Sequence, residues 1–307
     1  MATLADIRAK LAAQEKTKQA SPAQDGAIYA HWNIPEGSTA TLRFLPDADT
    51  NNPYFWVERQ MINLDFPGIL GQDENKRVTI AVPCIEMYEG KQKCPIHEII
   101  RPWFKDPTTE AIGRKYWKKR GYVMSGFVTA SPIVEDNIPE NPIRRFVISP
   151  QIFSLIKSSL MDAEIEEMPT DYKRGLDFRV NKTSKGGYAD YSSSSWARKE
   201  RALSADELKA VETHGLFNLN DYLPKRPDAE HLAAMVEMFQ ASVDGELYNP
   251  ERWARYYKPY GLTNVIMDPV ATNPYSPPAM SKDLVKSTQA SNALEILDKI
   301  KRSTTTE

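Results

Sequence analysis

Two cysteines and a histidine carry the most specific chemistry in this sequence. Cys84 and Cys94 are its only cysteines. His97 follows the second at a Cys-x-x-His spacing, and a Gly-containing loop separates the two thiols. Two thiolates and an imidazole suit tetrahedral zinc. Zinc here would fix a loop too small to hold itself. A structural zinc takes four ligands, and the fourth candidates are Asp65, Asp73, Glu74 and His31. The competing reading is two buried free thiols and a surface histidine.

A second constellation mixes cations with rings. Single strands of nucleic acid are held by cations along the phosphates and by aromatic rings under the bases. One segment offers Arg114, Lys115, Tyr116, Trp117, Lys118, Lys119, Arg120 and Tyr122. Another offers Lys173, Arg174, Phe178, Arg179, Lys182, Tyr188 and Tyr191, and Arg43 is a third candidate. Alternate strand residues share a face, so Arg120 and Tyr122 are expected to point together, with Arg179 opposite Phe178. The bland alternative is a solvated edge strand beside core aromatics.

Catalytic patterns are weaker. Asp162, Glu164, Glu166 and Glu167 cluster in a polar stretch that reads as solvated. His214 before Gly215 reads as part of a helix end, and Lys185-Gly186-Gly187 is too short for a phosphate loop. The expectation is a binding protein and not an enzyme. The alternatives are a zinc-dependent nucleic-acid-processing enzyme and a zinc-stapled structural virion protein.

Positioning these groups falls to a β-rich middle and a helical end. Strands are expected at 39–45, 54–63, 77–82, 121–130, 143–149 and 176–182, where β-branched and aromatic runs lie between turn residues. Ser149-Pro150 opens a helix with a cap and a first-turn proline. The fold class expected is α+β with a mainly β core, an OB-fold-like Greek-key barrel. A zinc subdomain falls at about 60–115 within a core of 21–200. Helices follow at 204–214, opened by a Ser204/Glu207 capping box, at 227–243 and at 249–257, making 201–262 a helical appendage. Residues 1–20 read as a basic arm with Arg8, Lys10, Lys16 and Lys18. Residues 263–307 read as a Pro- and Ser-rich linker ending in a short amphipathic, partner-binding helix.

Composition bounds the rest. The 307 residues carry a net charge of -2 and 41% hydrophobic residues. A globally basic nucleic-acid binder is thereby excluded, but a local cationic surface is not. No apolar run approaches the roughly 20 residues of a membrane span, and 1–10 lacks a signal-type apolar stretch. A cytoplasmic protein without membrane contact is expected.

In this order, Ala40-Thr41-Leu42-Arg43-Phe44-Leu45-Pro46, Cys84-x9-Cys94-x2-His97, Lys118-Lys119-Arg120-Gly121-Tyr122, Arg145-Phe146 and Asp177-Phe178-Arg179-Val180 leading to Gly187-Tyr188-Ala189-Asp190-Tyr191 resemble a known family. It is the single-stranded DNA-binding, helix-destabilising proteins of T-even phages, and the resemblance covers about residues 1–200. It implies an OB-fold with one zinc ion and sequence-independent, cooperative binding of single strands in replication, recombination and repair. It also implies self-association through the basic arm, and a C-terminal region that recruits a polymerase, helicase loader or recombinase in the cytoplasm of an infected bacterium. His97 stands where the family has a third sulfur, and Gln60 near its upstream histidine. Residues 263–307 carry about equal positive and negative charge, unlike the family's acidic tail.

Overall fold

The computed structural model describes residues 27–72, 74–88, 93–135, 138–162 and 167–259. The chain divides into two compact units. One comprises the described residues up to Arg59 with Arg120–Leu223; the other comprises Gln60–Lys119 with the described residues from Pro224 onward. The chain passes from one to the other within β2 (Val57–Phe66), at the start of β4 (Lys119–Ala130) and again after Leu223.

The first unit is built on an antiparallel sheet. β1 (Thr39–Phe44) pairs with β4 on one side and β6 (Phe178–Asn181) on the other. β5 (Arg144–Ile148) lies against β4, and β9 (Ser195–Trp196) against β6. Alternation turns Ala40, Leu42 and Phe44 inward with Met124, Phe146, Phe178 and Val180. α3 (Pro150–Leu160), capped by Ser149 onto the Ile152 N–H, contributes Ile152, Phe153 and Ile156 to that core. A β-bulge between Thr41 and Leu42 shifts the β1–β4 register. At Gly126 a Cβ would stand 2.0 Å from the Arg43 carbonyl oxygen, so only glycine lets the two strands close there. β7 (Thr183–Lys185) and β8 (Tyr188–Asp190) form a small hairpin turned by Gly186 and Gly187 at φ 62° and 81°.

The second unit joins the β2–β3 hairpin (β3, Val78–Pro83) to α1 (Pro95–Ile100), α2 (Glu110–Tyr116), α5 (Ala229–Asp244) and α6 (Pro250–Trp253). One core holds Ile62, Leu64, Cys84, Cys94, Ile96, Met235, Phe239 and Trp253 together.

Six expected strands are present with ends shifted by up to three residues. The helical region is not one appendage. α4 (Ala205–His214), opened by the Ser204/Glu207 capping box, belongs to the first unit, whereas α5 and α6 belong to the second. Their apolar faces are used up in two different cores, because Leu203 and Ala210 join Leu45 and Phe127 while Met235 and Phe239 join Ile62. The expected basic arm (1–20, with Arg8, Lys10, Lys16 and Lys18) and the terminal helix (263–307) lie outside the described residues. Among the described residues no helix is long and apolar enough to cross a membrane.

Candidate metal centre and cationic surface

Cys84 follows β3 and is fixed by its N–H, which donates to the Gln60 carbonyl at 2.9 Å. A 3-10 turn, Ile85–Met87, comes next. Cys94 is the N-cap of α1, with Pro95 at its first position, and the helix carries His97 back toward Cys94. All three side chains are fully buried. Their ligand atoms lie within 4.8 Å of one another, with Cys84 Sγ 3.8 Å from His97 Nδ1. This is the one such group among the described residues.

The electrostatics favour the metal-ready form at Cys94 and His97 and oppose it at Cys84. The Cys84 hydrogen bond brings the Cys94 thiol down to about 7, helped by the backbone N–H groups of His97, Ile85 and Ile96 against the effect of burial. Cys84, sharing that hydrogen bond and buried beside its partner, is pushed up. Burial lowers His97 against the opposing pull of Glu86, keeping the imidazole neutral. Its Nε2 is buried without a hydrogen-bond partner. Two sulfurs and a neutral imidazole at this spacing fit a soft, tetrahedral ion such as zinc, and can hold a metal ion.

Glu86 was missed in the sequence. Its Oε1 lies 3.0 Å from His97 Nδ1 and 3.3 Å from Arg101, and its Oε2 accepts from Lys118 at 2.7 Å. Burial pushes this carboxyl up, but the Lys118 and His97 hydrogen bonds outweigh it and hold it at about 2. The only sequence signal was a carboxylate two residues after Cys84. The fourth ligands expected from sequence do not join the group. Asp65 accepts from Thr79 at 2.6 Å and faces Lys115 at 3.4 Å. Glu74 is exposed and bonds Gly71 N, while His31 belongs to the first unit, edge-on to Trp32 and Tyr191. Asp73 lies outside the described residues.

The segment 114–122 splits by accessibility. Arg114, Lys115 and Lys119 are exposed in the second unit, Arg114 paired with Glu110 and Lys119 donating to the Arg114 carbonyl at 3.3 Å. Trp117 is half-buried, stacked on His97 at 4.2 Å and edge-on to Phe104 at 5.1 Å. Phe104, Arg114, Trp117 and Lys119 line an open cleft of about 510 Å³. Lys118 is only 14% exposed and is held by Glu86. Tyr116 is in the core instead, its hydroxyl hydrogen-bonded to Ser242 at 3.0 Å, because α2 turns that side toward α5. In the first unit Arg120 is exposed, with Glu58 3.5 Å away, while Tyr122 is buried and stacked on Phe153.

The second segment splits in the same way. Lys173, Arg179 and Tyr188 are exposed, Tyr188 at 63%. Arg174 pairs with Glu167 and Glu200, and Lys182 donates to the Trp32 carbonyl at 2.6 Å. Phe178 and Tyr191 are core residues, and so is Arg43. Arg43 donates to the carbonyls of Asp171 at 2.7 Å and Arg201 at 3.0 Å and faces Asp177 at 3.6 Å. These three, with Tyr116 and Tyr122, present nothing to a bound strand in this conformation. Inward alternation accounts for Phe178, and carbonyls from distant loops account for the arginine. The sequence reading also missed Phe104 and the surface pair Tyr54 (54% exposed) and Trp56, stacked at 4.7 Å. The signal was the run Tyr54-Phe55-Trp56, which was absorbed into an expected strand.

Of the acidic cluster, Glu167 is taken by Arg174 and Asp162 is exposed, while Glu164 and Glu166 lie outside the described residues. His214 closes α4 before Gly215 at φ 73°. No family model matches the sequence, and no curated protein matches it.

Proposed function

We propose that this protein binds single-stranded DNA with little sequence preference, as an OB-type member of the T-even phage helix-destabilising class, with a structural zinc bound by Cys84, Cys94 and His97. The observation that carries the reading is the open cleft of about 510 Å³, in which Phe104 and Trp117 supply rings and Arg114 and Lys119 supply cations. Rings that stack bases and cations that track phosphates are what a sequence-tolerant strand binder needs, each stacked base contributing roughly 1–3 kcal/mol. The metal's role would be structural: His97 backs the Trp117 ring, so a filled site holds one wall of the cleft. In the first unit Arg179, Lys173 and Tyr188 add exposed cations and a ring. The resemblance extends the reading to cooperative, self-associating binding during phage replication, recombination and repair, with replication proteins recruited through the C-terminal region.

The test is titration with oligo(dT) and with a matching duplex across a salt series, read by tryptophan and tyrosine emission. Preference for the single strand and affinity falling with salt are expected. Arg114→Ala and Lys119→Ala should each flatten the logarithmic salt slope by about one phosphate contact's share, roughly 0.7. Equal affinity for duplex, or salt-independent binding, would sink the proposal.

A further inference from the structure

Three buried ligands leave one position of a four-coordinate zinc to be filled. We propose that Glu86 fills it, with His97 bound through Nδ1 and Glu86 through Oε1, giving a centre of two thiolates, one imidazole and one carboxylate. This rests on the metal reading of the three-residue cluster and not on strand binding.

The geometry decides the nitrogen first. Two ligand atoms on one tetrahedral ion stand about 3.3–3.8 Å apart when the bonds are about 2.0–2.3 Å. Cys84 Sγ and His97 Nδ1 are 3.8 Å apart, within that range, whereas Nδ1 and Glu86 Oε1 are 3.0 Å apart, a hydrogen-bond distance that has to open by a few tenths of an ångström on ligation. Were Nε2 the ligand, Nδ1 would lie across the ring from the ion, and the Cys84 sulfur would stand about 5 Å from it. Nδ1 therefore faces Cys84 as a neighbouring ligand requires, and the Glu86 carboxylate stands beside the same nitrogen.

Backbone and charge bring Glu86 next to the three ligands. Glu86 lies in the 3-10 turn after Cys84, and its N–H bonds the Cys84 sulfur. The mutually close group does not include its carboxylate, so ligation needs a rotation of the Glu86 side chain toward the thiols. Two thiolates and a carboxylate exceed a divalent ion by one negative charge. Lys118 and Arg101, which lie 2.7 Å and 3.3 Å from the unrotated carboxylate, are close enough to the centre to offset that surplus.

Titration of Co2+ and Zn2+ into the full chain tests this. Affinity is read by chelator competition, and geometry by the ligand-field and thiolate-to-Co2+ bands. Wild type is expected to give a tetrahedral spectrum with two thiolates. Glu86→Gln should lose more than about 100-fold in affinity, beyond the roughly 10–100-fold that outer-shell partners contribute, and its ligand-field bands should move. Glu86→Cys should gain one thiolate's worth of charge-transfer intensity, a signal that a merely weakened fold does not produce. Wild-type bands in Glu86→Gln, no added thiolate intensity in Glu86→Cys, or band movement in Gln60→Ala instead would each overturn the assignment. A wild-type chain that takes up neither metal overturns it together with the metal reading. Binding to oligo(dT) is measured separately and fails independently.

Discussion

Arg43 shows what residue type alone conceals. In a strand between Leu42 and Phe44 it reads as a cation free to meet a phosphate, yet it is fully buried, with partners 128 and 158 residues away in sequence. Nothing local announces those partners, so its burial was not legible. Removing one member of a buried pair leaves an uncompensated charge. Arg43→Met should cost about 3 kcal/mol in urea unfolding, the low end because Asp177 keeps Arg201 at 2.7 Å. Its strand affinity in the folded state should be unchanged, in contrast to Lys119→Ala. His31 gives a pH signature of its own. Burial, with Lys182 nearby, drops it to about 4, whereas an unfolded imidazole takes up its proton near 6.5. The unfolded state thus binds the extra proton first, and stability falls as pH drops from 6.5 toward 4. The loss should approach about 3 kcal/mol. Chemical denaturation between pH 7 and 5, above most carboxylate titration, should show the slope, and His31→Gln should flatten it.

Elements were legible where pattern and punctuation agreed. Ser149-Pro150 and Ser204 with Glu207 announced their helices, and both caps are formed. β-branched alternation announced β1, β3 and β4. The β7–β8 hairpin was missed because its residues are polar and exposed; Gly186-Gly187 was its one signal, a two-residue turn needing positive φ. α2 was missed because 114–122 reads as one cationic run, although the helix ends at Tyr116 and β4 begins at Lys119. The candidate ligands were legible from Cys-x-x-His spacing, but Glu86 was not, since only the 3-10 turn brings it to His97. α5 carries a consequence that the sequence kept hidden, for Phe239 shares a core with Cys84 and Cys94 and touches the Tyr116 ring edge-on at 5.2 Å. Phe239→Ala should cost about 3–5 kcal/mol in the second unit's unfolding. It should also weaken metal uptake in a chelator competition, since binding energy and folding energy are shared there.

For the whole molecule, two compact units, each with its own buried hydrophobic residues, should give two unfolding transitions. Trp103, Trp117 and Trp253 belong to the second unit, and Trp32, Trp56 and Trp196 to the first. A chelator should lower the melting of the second unit alone, because a ligand stabilises only what it binds. Tryptophan emission in single-tryptophan variants would resolve the two. A single transition, shifted as one by chelator, would mean that the cores unfold together. The division itself was not legible: each unit is assembled from two stretches of chain, and periodicity within a stretch says nothing about which distant stretch completes its core. Net charge of -2 excluded a uniformly basic surface and left the placement of cations to the fold.

The interleaving of the two units also sets a timetable for synthesis. Cys94 leaves the ribosome about 160 residues before Trp253, a member of the same core. At about 5–20 residues per second, the core that holds both thiols stays incomplete for roughly 10–30 s on a nascent chain. During that interval the growing polypeptide lacks one half of the core into which its sulfurs are packed, and the arrival of α5 and α6 completes it.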